Sequence, residues 1–186
     1  YGGQALKQTI EGGYIILGSF YSIFGADDLI LIKTDALGDT LWTKVIGGLG
    51  RDMPTEILLD SDGGYLVAGT TASIGTGHWD MFLLKTDSIG TQLWSRSFGT
   101  WDSLQGIAND EELISVKKTP ANGFILGCRV HYLNKVYLVE LDSIGNILWS
   151  KFYGTNVTQF TSLNVLSDGY IFTFGSYLVK IDTQGN

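Results

Sequence analysis

Residues 80–98 read Asp-Met-Phe-Leu-Leu-Lys-Thr-Asp-Ser-Ile-Gly-Thr-Gln-Leu-Trp-Ser-Arg-Ser-Phe. This is an apolar run, a short Asp-x-x-Gly turn, and a second run that opens on Leu-Trp. The same pattern occurs at Asp28–Ile46, again at Val136–Tyr153, and in shortened form at Tyr177–Asn186. A second marker keeps step with it. Gly-aromatic pairs fall at Gly13-Tyr14, Gly64-Tyr65, Gly123-Phe124 and Gly169-Tyr170, spaced 51, 59 and 46 residues, while Trp42, Trp94 and Trp149 are spaced 52 and 55. Two independent rulers that agree establish an internal repeat.

Each copy divides into four short runs, clearest in the second: Thr55–Asp60, Tyr65–Thr71, Met81–Thr86 and Gln92–Phe98. Asp62-Gly63-Gly64 parts the first two, with the chemistry of a tight hairpin that needs positive φ. Asp87-Ser-Ile-Gly90 parts the last two, where Asp bonds its own downstream backbone and Gly takes the left-handed position. No run holds a 3.6-residue period over a helical length. The third run of each copy is almost wholly apolar (Leu29–Ile32, Met81–Leu84, Val136–Val139), which predicts strands covered on both faces.

Four consecutive antiparallel strands at a period of roughly 40–50 residues describe one blade of a β-propeller. The fold expected is therefore all-β, a single propeller domain over 1–186 with repeats at 4–48, 49–100, 101–155 and 156–186. The last copy lacks its outer Leu-Trp strand. The sequence fits a four-bladed disc missing one strand or an arc of a longer propeller of about six to eight blades, and the missing strand favours the arc. Tyr1-Gly2-Gly3 matches the end of a Leu-Trp strand, and the chain opens on Tyr rather than Met, so a processed or excised piece is expected.

Composition agrees. Hydrophobic residues make up 44% of the 186 and charged residues 17%, with 25 glycines and 2 prolines. That balance excludes a disordered chain and suits short strands with tight turns. The net charge is −7 with only 12 Lys and Arg, so a nucleic acid partner is not expected, nor an anionic membrane surface. No apolar run approaches the ~20 residues that span a bilayer, and membrane insertion is not expected. The single cysteine, Cys128, replaces Ser19, Thr70 and Ser176 of the other copies and reads as a buried thiol in a small slot.

Candidate chemistry is sparse. Asp60-Ser-Asp62-Gly-Gly64 resembles the opening of a calcium loop but lacks the later carboxylates, and reads as a hairpin turn. Asn109-Asp110-Glu111-Glu112 is the densest acidic run and is expected to be a solvated loop. His78 and His131 stand far apart in sequence with no zinc-ligand pattern around them. Neither a nucleophile elbow nor a phosphate loop occurs. No catalytic residue, metal or cofactor is expected. Trp79 and Trp101 lie outside the repeat frame, in Thr76-Gly-His-Trp-Asp80 and Gly99-Thr-Trp-Asp-Ser103. Indoles beside His78 and Asp102 suit stacking on a sugar ring or anchoring a protein partner, and these four are the candidate ligand-binding residues.

The turn-plus-tryptophan element resembles the tryptophan-docking motif of quinoprotein-type propellers, in which Asp, Gly and Trp close each blade. In that family the Trp packs on the neighbouring blade and the Asp braces the turn. The matching residues are Asp35, Gly38 and Trp42; Asp87, Gly90 and Trp94; and Asp142, Gly145 and Trp149. The Asp-to-Gly step is one residue shorter than in that family. A closer resemblance is to secreted or surface propeller repeats of bacteria and archaea reading Asp-Gly-Gly-Tyr … Lys-x-Asp-x-x-Gly-x-x-x-Trp, which residues 62–94 follow. It covers the whole chain and implies an extracellular or envelope location, with no catalytic residues and no quinone or metal pocket.

The expectation is a non-enzymatic extracellular module that presents loops to a protein or glycan. Two alternatives stand beside it: a structural unit that self-associates through exposed strand edges, and a fragment of a propeller enzyme.

Overall fold

A computed structural model describes residues 2–21, 26–75, 78–102 and 107–186, with backbone alone at 101–102 and 107–108. Among the described residues there are strands and turns and no helix, so none is long and apolar enough to cross a membrane. The chain is all-β, built of consecutive antiparallel sheets. The first holds β1 (Gly2–Gln8), β2 (Tyr14–Tyr21), β3 (Asp27–Thr34) and β4 (Thr40–Ile46). The second holds β5 (Asp52–Leu59), β6 (Tyr65–Thr71), β7 (Asp80–Thr86) and β8 (Gln92–Phe98). A two-stranded ribbon of β9 (Trp101–Asp102) and β10 (Ile107–Ala108) comes next. The third sheet holds β11 (Glu111–Lys118), β12 (Phe124–Val130), β13 (Lys135–Leu141) and β14 (Ile147–Tyr153). The last sheet has three strands, β15 (Phe160–Leu166), β16 (Gly169–Phe174) and β17 (Tyr177–Ile181), in that order.

The repeat survives at the level of register. Every first strand carries a bulge at the same place, between Gly3 and Ala5, Pro54 and Glu56, Leu113 and Ser115, and Phe160 and Ser162. In the three four-stranded sheets the third strand sets its Leu-Trp partner alike: Trp42 lies opposite Lys33, Trp94 opposite Lys85 and Trp149 opposite Glu140. The Asp-x-x-Gly turns are equally uniform. Asp35 Oδ1 accepts the backbone N–H groups of Leu37 and Asp39, both at 2.9 Å. Asp87, Asp142 and Asp182 do the same two and four residues on, over 2.7–3.0 Å.

Two compact units emerge, Tyr1–Gly99 and Thr100–Asn186. In the first, Ile15, Leu17, Leu29 and Leu31 of the first sheet pack on Ile57, Tyr65, Val67, Phe82 and Leu84 of the second. In the second, Ile125, Val136 and Leu138 pack on Phe160, Leu163, Tyr170, Phe172 and Phe174. A fully buried side chain of this kind contributes about 1.5–3 kcal/mol. Every residue of β6 and β7 is buried, as are all of β12 but Arg129 and all of β13 but Lys135. Two-faced burial explains why the third runs are apolar without alternation.

Three local readings change. β5 begins at Asp52, ahead of the Thr55 that the hydrophobic pattern marks, because its bulge lets Asp52 pair with Thr71. Ser176 lies in the tight turn between β16 and β17 rather than in a strand slot like that of Cys128, which is wholly buried. The acidic run 109–112 is no solvated loop: Asn109 and Glu111 are fully buried, and Glu111 Oε1 accepts the Thr100 backbone N–H at 3.1 Å and also the Thr100 hydroxyl.

Candidate functional site

The Trp of one sheet reaches the turn of the next within each unit. A Cβ placed on Gly90 would stand 2.8 Å from Trp42 Cη2, and the Trp42 ring lies 6.1 Å from Tyr65 at 55°. A Cβ on Gly185 would stand 3.1 Å from Trp149 Cζ3, and the Trp149 ring lies 6.0 Å from Tyr170 at 56°. Trp149 Nε1–H also donates to the Thr183 carbonyl at 3.0 Å. Tilted rings at these separations are favourable for aromatic pairs. Trp94, likewise half-buried, has the Arg96 guanidinium 5.8 Å from its ring.

The glycine of each Gly-aromatic pair has a steric cause. A Cβ on Gly64 would lie 2.2 Å from the Thr86 carbonyl oxygen, and one on Gly123 2.1 Å from that of Leu141. The third strand runs too close for any side chain there.

Between the first two sheets lies a mainly apolar slot of about 180 Å³, whose lining includes Leu29, Phe82 and Leu84 together with Asp52, Thr71 and Ser73. Asp52 is 4% exposed. Its Oδ2 accepts the Ser73 hydroxyl at 2.8 Å and its Oδ1 the Thr71 hydroxyl at 2.5 Å. Burial lifts its carboxyl above the ordinary range, against the pull of those two hydroxyls, and the neighbouring charge of Asp28 adds to the rise. Asp28 is 6% exposed, and its Oδ1, buried and without a hydrogen-bond partner among the described residues, occupies the space beside Gly47 that a Cβ would fill. Sequence reasoning passes over both acids, because Asp28 sits just before an apolar run and Asp52 three residues ahead of one.

The residues expected to bind a ligand fall as follows. His78 is exposed and Trp79 half-buried, just before β7 on the loop that leaves β6 through Ser73 and Ile74 at the slot. Trp101 and Asp102 pair with Ala108 and Ile107 in the ribbon, and their side chains lie outside the described residues. His131, on the second unit, bonds Glu112 at 3.1 Å near the surface.

A second concavity is bordered by the hairpin turns of the first two sheets. Lys33 Nζ reaches Thr9 Oγ1 at 2.7 Å and Glu11 at 3.0 Å, while Lys85 Nζ reaches Asp60 and Asp62, both at 2.7 Å. These ion pairs are internally satisfied. The Asp60–Gly64 segment is thereby a lysine-braced hairpin turn, with Asp62 held below its usual range first by Lys85.

Among the described residues no three His, Cys, Asp or Glu side chains stand close enough to hold a metal ion by themselves. A scan of protein-family models finds no match to this chain, and no curated protein is significantly similar to it.

Proposed function

We propose that the chain is a β-propeller of four-stranded blades serving, outside the cytoplasm, as a non-enzymatic binding or scaffold module for a protein or glycan. The observation that carries this reading is the repeated wedge, Trp42 on Gly90 and Tyr65 and Trp149 on Gly185 and Tyr170, with nearly identical ring geometry in both units. A blade cannot cover both faces alone, and a wedge into its successor is what stacked repeats require. Such a frame holds its loops rigid, and rigid loops suit recognition. Recurrent exposed apolar residues support a partner: Leu37, Ile89 and Ile144 at the turn tips, and Leu41, Leu93 and Leu148 beside each wedge. The family resemblance supports the extracellular setting.

A glycan array tests the lectin form. Wild type is expected to bind a defined glycan class, and Trp79→Ala or Trp101→Ala to reduce that signal at least about tenfold, as loss of an aromatic anchor does. Binding unchanged in both variants would remove these tryptophans from the recognition surface.

A second reading, self-assembly, is favoured by the outer edge of Tyr177–Ile181. Among the described residues that strand pairs only with β16, and Tyr177 and Leu178 are 68% and 69% exposed. Open, apolar strand edges accept further strands.

A further inference from the structure

We propose that the first sheet carries an open tryptophan seat, at Gly38 and Tyr14, which receives a Leu-Trp-x-Lys/Arg strand of a like repeat supplied from outside residues 1–186. This names a partner for the binding module and rests on the stacked-blade reading above. Two seats of the kind are filled: Trp42 stands on Gly90 and Tyr65, and Trp149 on Gly185 and Tyr170. In the first copy the same Asp-x-x-Gly turn and Gly-aromatic pair supply Gly38 and Tyr14. A Cβ placed on Gly38, at φ +93°, meets nothing within 4 Å among the described residues. No tryptophan precedes Trp42 in the sequence.

The sheet face around that seat is apolar and open. In the second sheet Ile57, Val67 and Leu84 lie side by side across β5, β6 and β7, exposed by only 0%, 0% and 3%. The first sheet covers them. Leu6, Ile16 and Ile32 hold the same register in the first sheet. There Leu6 is 56% exposed, and the two isoleucines are only half-buried. Side chains that the repeat covers in the next copy are left in water in this one, which marks a docking surface.

The filled seats say what covers it. Each donor strand reads Leu-Trp-x-basic: Leu41-Trp42-Thr43-Lys44, Leu93-Trp94-Ser95-Arg96 and Leu148-Trp149-Ser150-Lys151. The cation reaches the seat along with the indole. Lys44 Cγ stands 3.0 Å from a Cβ placed on Gly90. Lys151 Nζ donates to the Gly185 carbonyl at 3.2 Å and to Asn186 Oδ1 at 2.7 Å. Asn186 stands four residues after Asp182, and the residue four after Asp35 is Asp39, which is exposed. A cation arriving at the open seat therefore meets a carboxylate where Lys151 meets an amide, and a charged acceptor strengthens the bond. Shape, apolar surface and charge thus select the same occupant.

A peptide with the sequence of residues 87–98, titrated into the full chain and followed by amide NMR, tests the seat. Saturable shifts are expected at Gly38 and Tyr14. A Trp94→Ala version of the peptide is expected to bind at least about tenfold more weakly, as loss of an aromatic anchor does. Asp39→Asn in the chain weakens the wild-type peptide by about two- to fivefold, the scale of an exposed ion pair. Gly38→Asn keeps the left-handed turn, which Asn tolerates, so Tm changes little while its side chain blocks the peptide. Should that variant fail to fold, the two peptides on wild type still decide the matter. The proposal is overturned if neither Gly38 nor Tyr14 shifts up to about 2 mM peptide, or if the Trp94→Ala peptide binds equally well. Shifts confined to Tyr177–Ile181 also overturn it, since they report strand addition at the other edge. Light scattering that shows a dimer, with Gly38 shifting on concentration alone, gives the seat to a second copy and overturns this occupant. Failure of the stacked-blade reading itself appears separately, as strict additivity of Trp42→Ala and Gly90→Ala.

Discussion

Lys33 and Lys85 hold their ammonium groups nearly out of water, and each uses them on the hairpin turn of its own sheet. In the third sheet Glu140 takes that place and meets the Tyr170 hydroxyl of the fourth, which helps burial push the phenol upward. The brace has a pH signature through Glu11, whose carboxyl the hydrogen bonds from Lys33 and then Thr9 draw down to about 2. A depressed folded pKa contributes stability above the unfolded value, which is lost as pH falls through the folded one. The Tm gap between wild type and Glu11→Gln is therefore expected to be steady above about pH 5 and to close toward about pH 2. It will be small, because Glu11 is largely in water. A gap that is unchanged at acid pH rejects the brace. Single residues were only partly legible in the sequence. The glycines of the hairpins announced themselves by turn chemistry, yet the reason for Gly64, a carbonyl 2.2 Å from where a Cβ would stand, belongs to a strand more than twenty residues on. Asp28 and Asp52 gave no signal, since what makes them unusual is the sheet opposite.

At the scale of the element, strand boundaries followed the hydrophobic pattern closely: β6 and β8 span the very residues the alternation and turns marked out. The bulges did not show. Their extra residues are Gln4, Thr55, Ile114 and Thr161, which share no side-chain chemistry, so the signal lies in backbone geometry. The acidic start of β11 misled for a related reason: charge density suggests solvation, while the partner that buries Glu111 is Thr100. The wedge makes a quantitative claim about two elements at once. Trp42→Ala is expected to cost about 2–3 kcal/mol in urea unfolding, less than the 3–5 of a fully buried aromatic. Gly90→Ala, at φ +78° and against the indole, is expected to cost about 1–3 kcal/mol. Because the two touch, the double variant should lose less than the sum. Strict additivity means the indole does not lean on that turn.

For the whole molecule, the all-β repeat architecture was legible because length, turn chemistry and two spaced markers agreed; what the repeat recognises was not, since loops carry no period. The proposed assembly through Tyr177–Ile181 is tested by light scattering behind size exclusion. Mass that rises with concentration, and stays monomeric in Leu178→Lys, supports strand addition, because an edge lysine blocks it. A constant monomer in wild type retires it. The wedges have one last implication. The indole is donated by one copy and its seat of glycine and tyrosine is provided by the copy after it, as Trp42 with Gly90 and Trp149 with Gly185 illustrate. Within each unit, a duplicated whole copy thus keeps its junction matched, donor to seat. A crossover in mid-copy parts the tongue from its socket, so growth of such a chain by whole modules is the route that its chemistry leaves open.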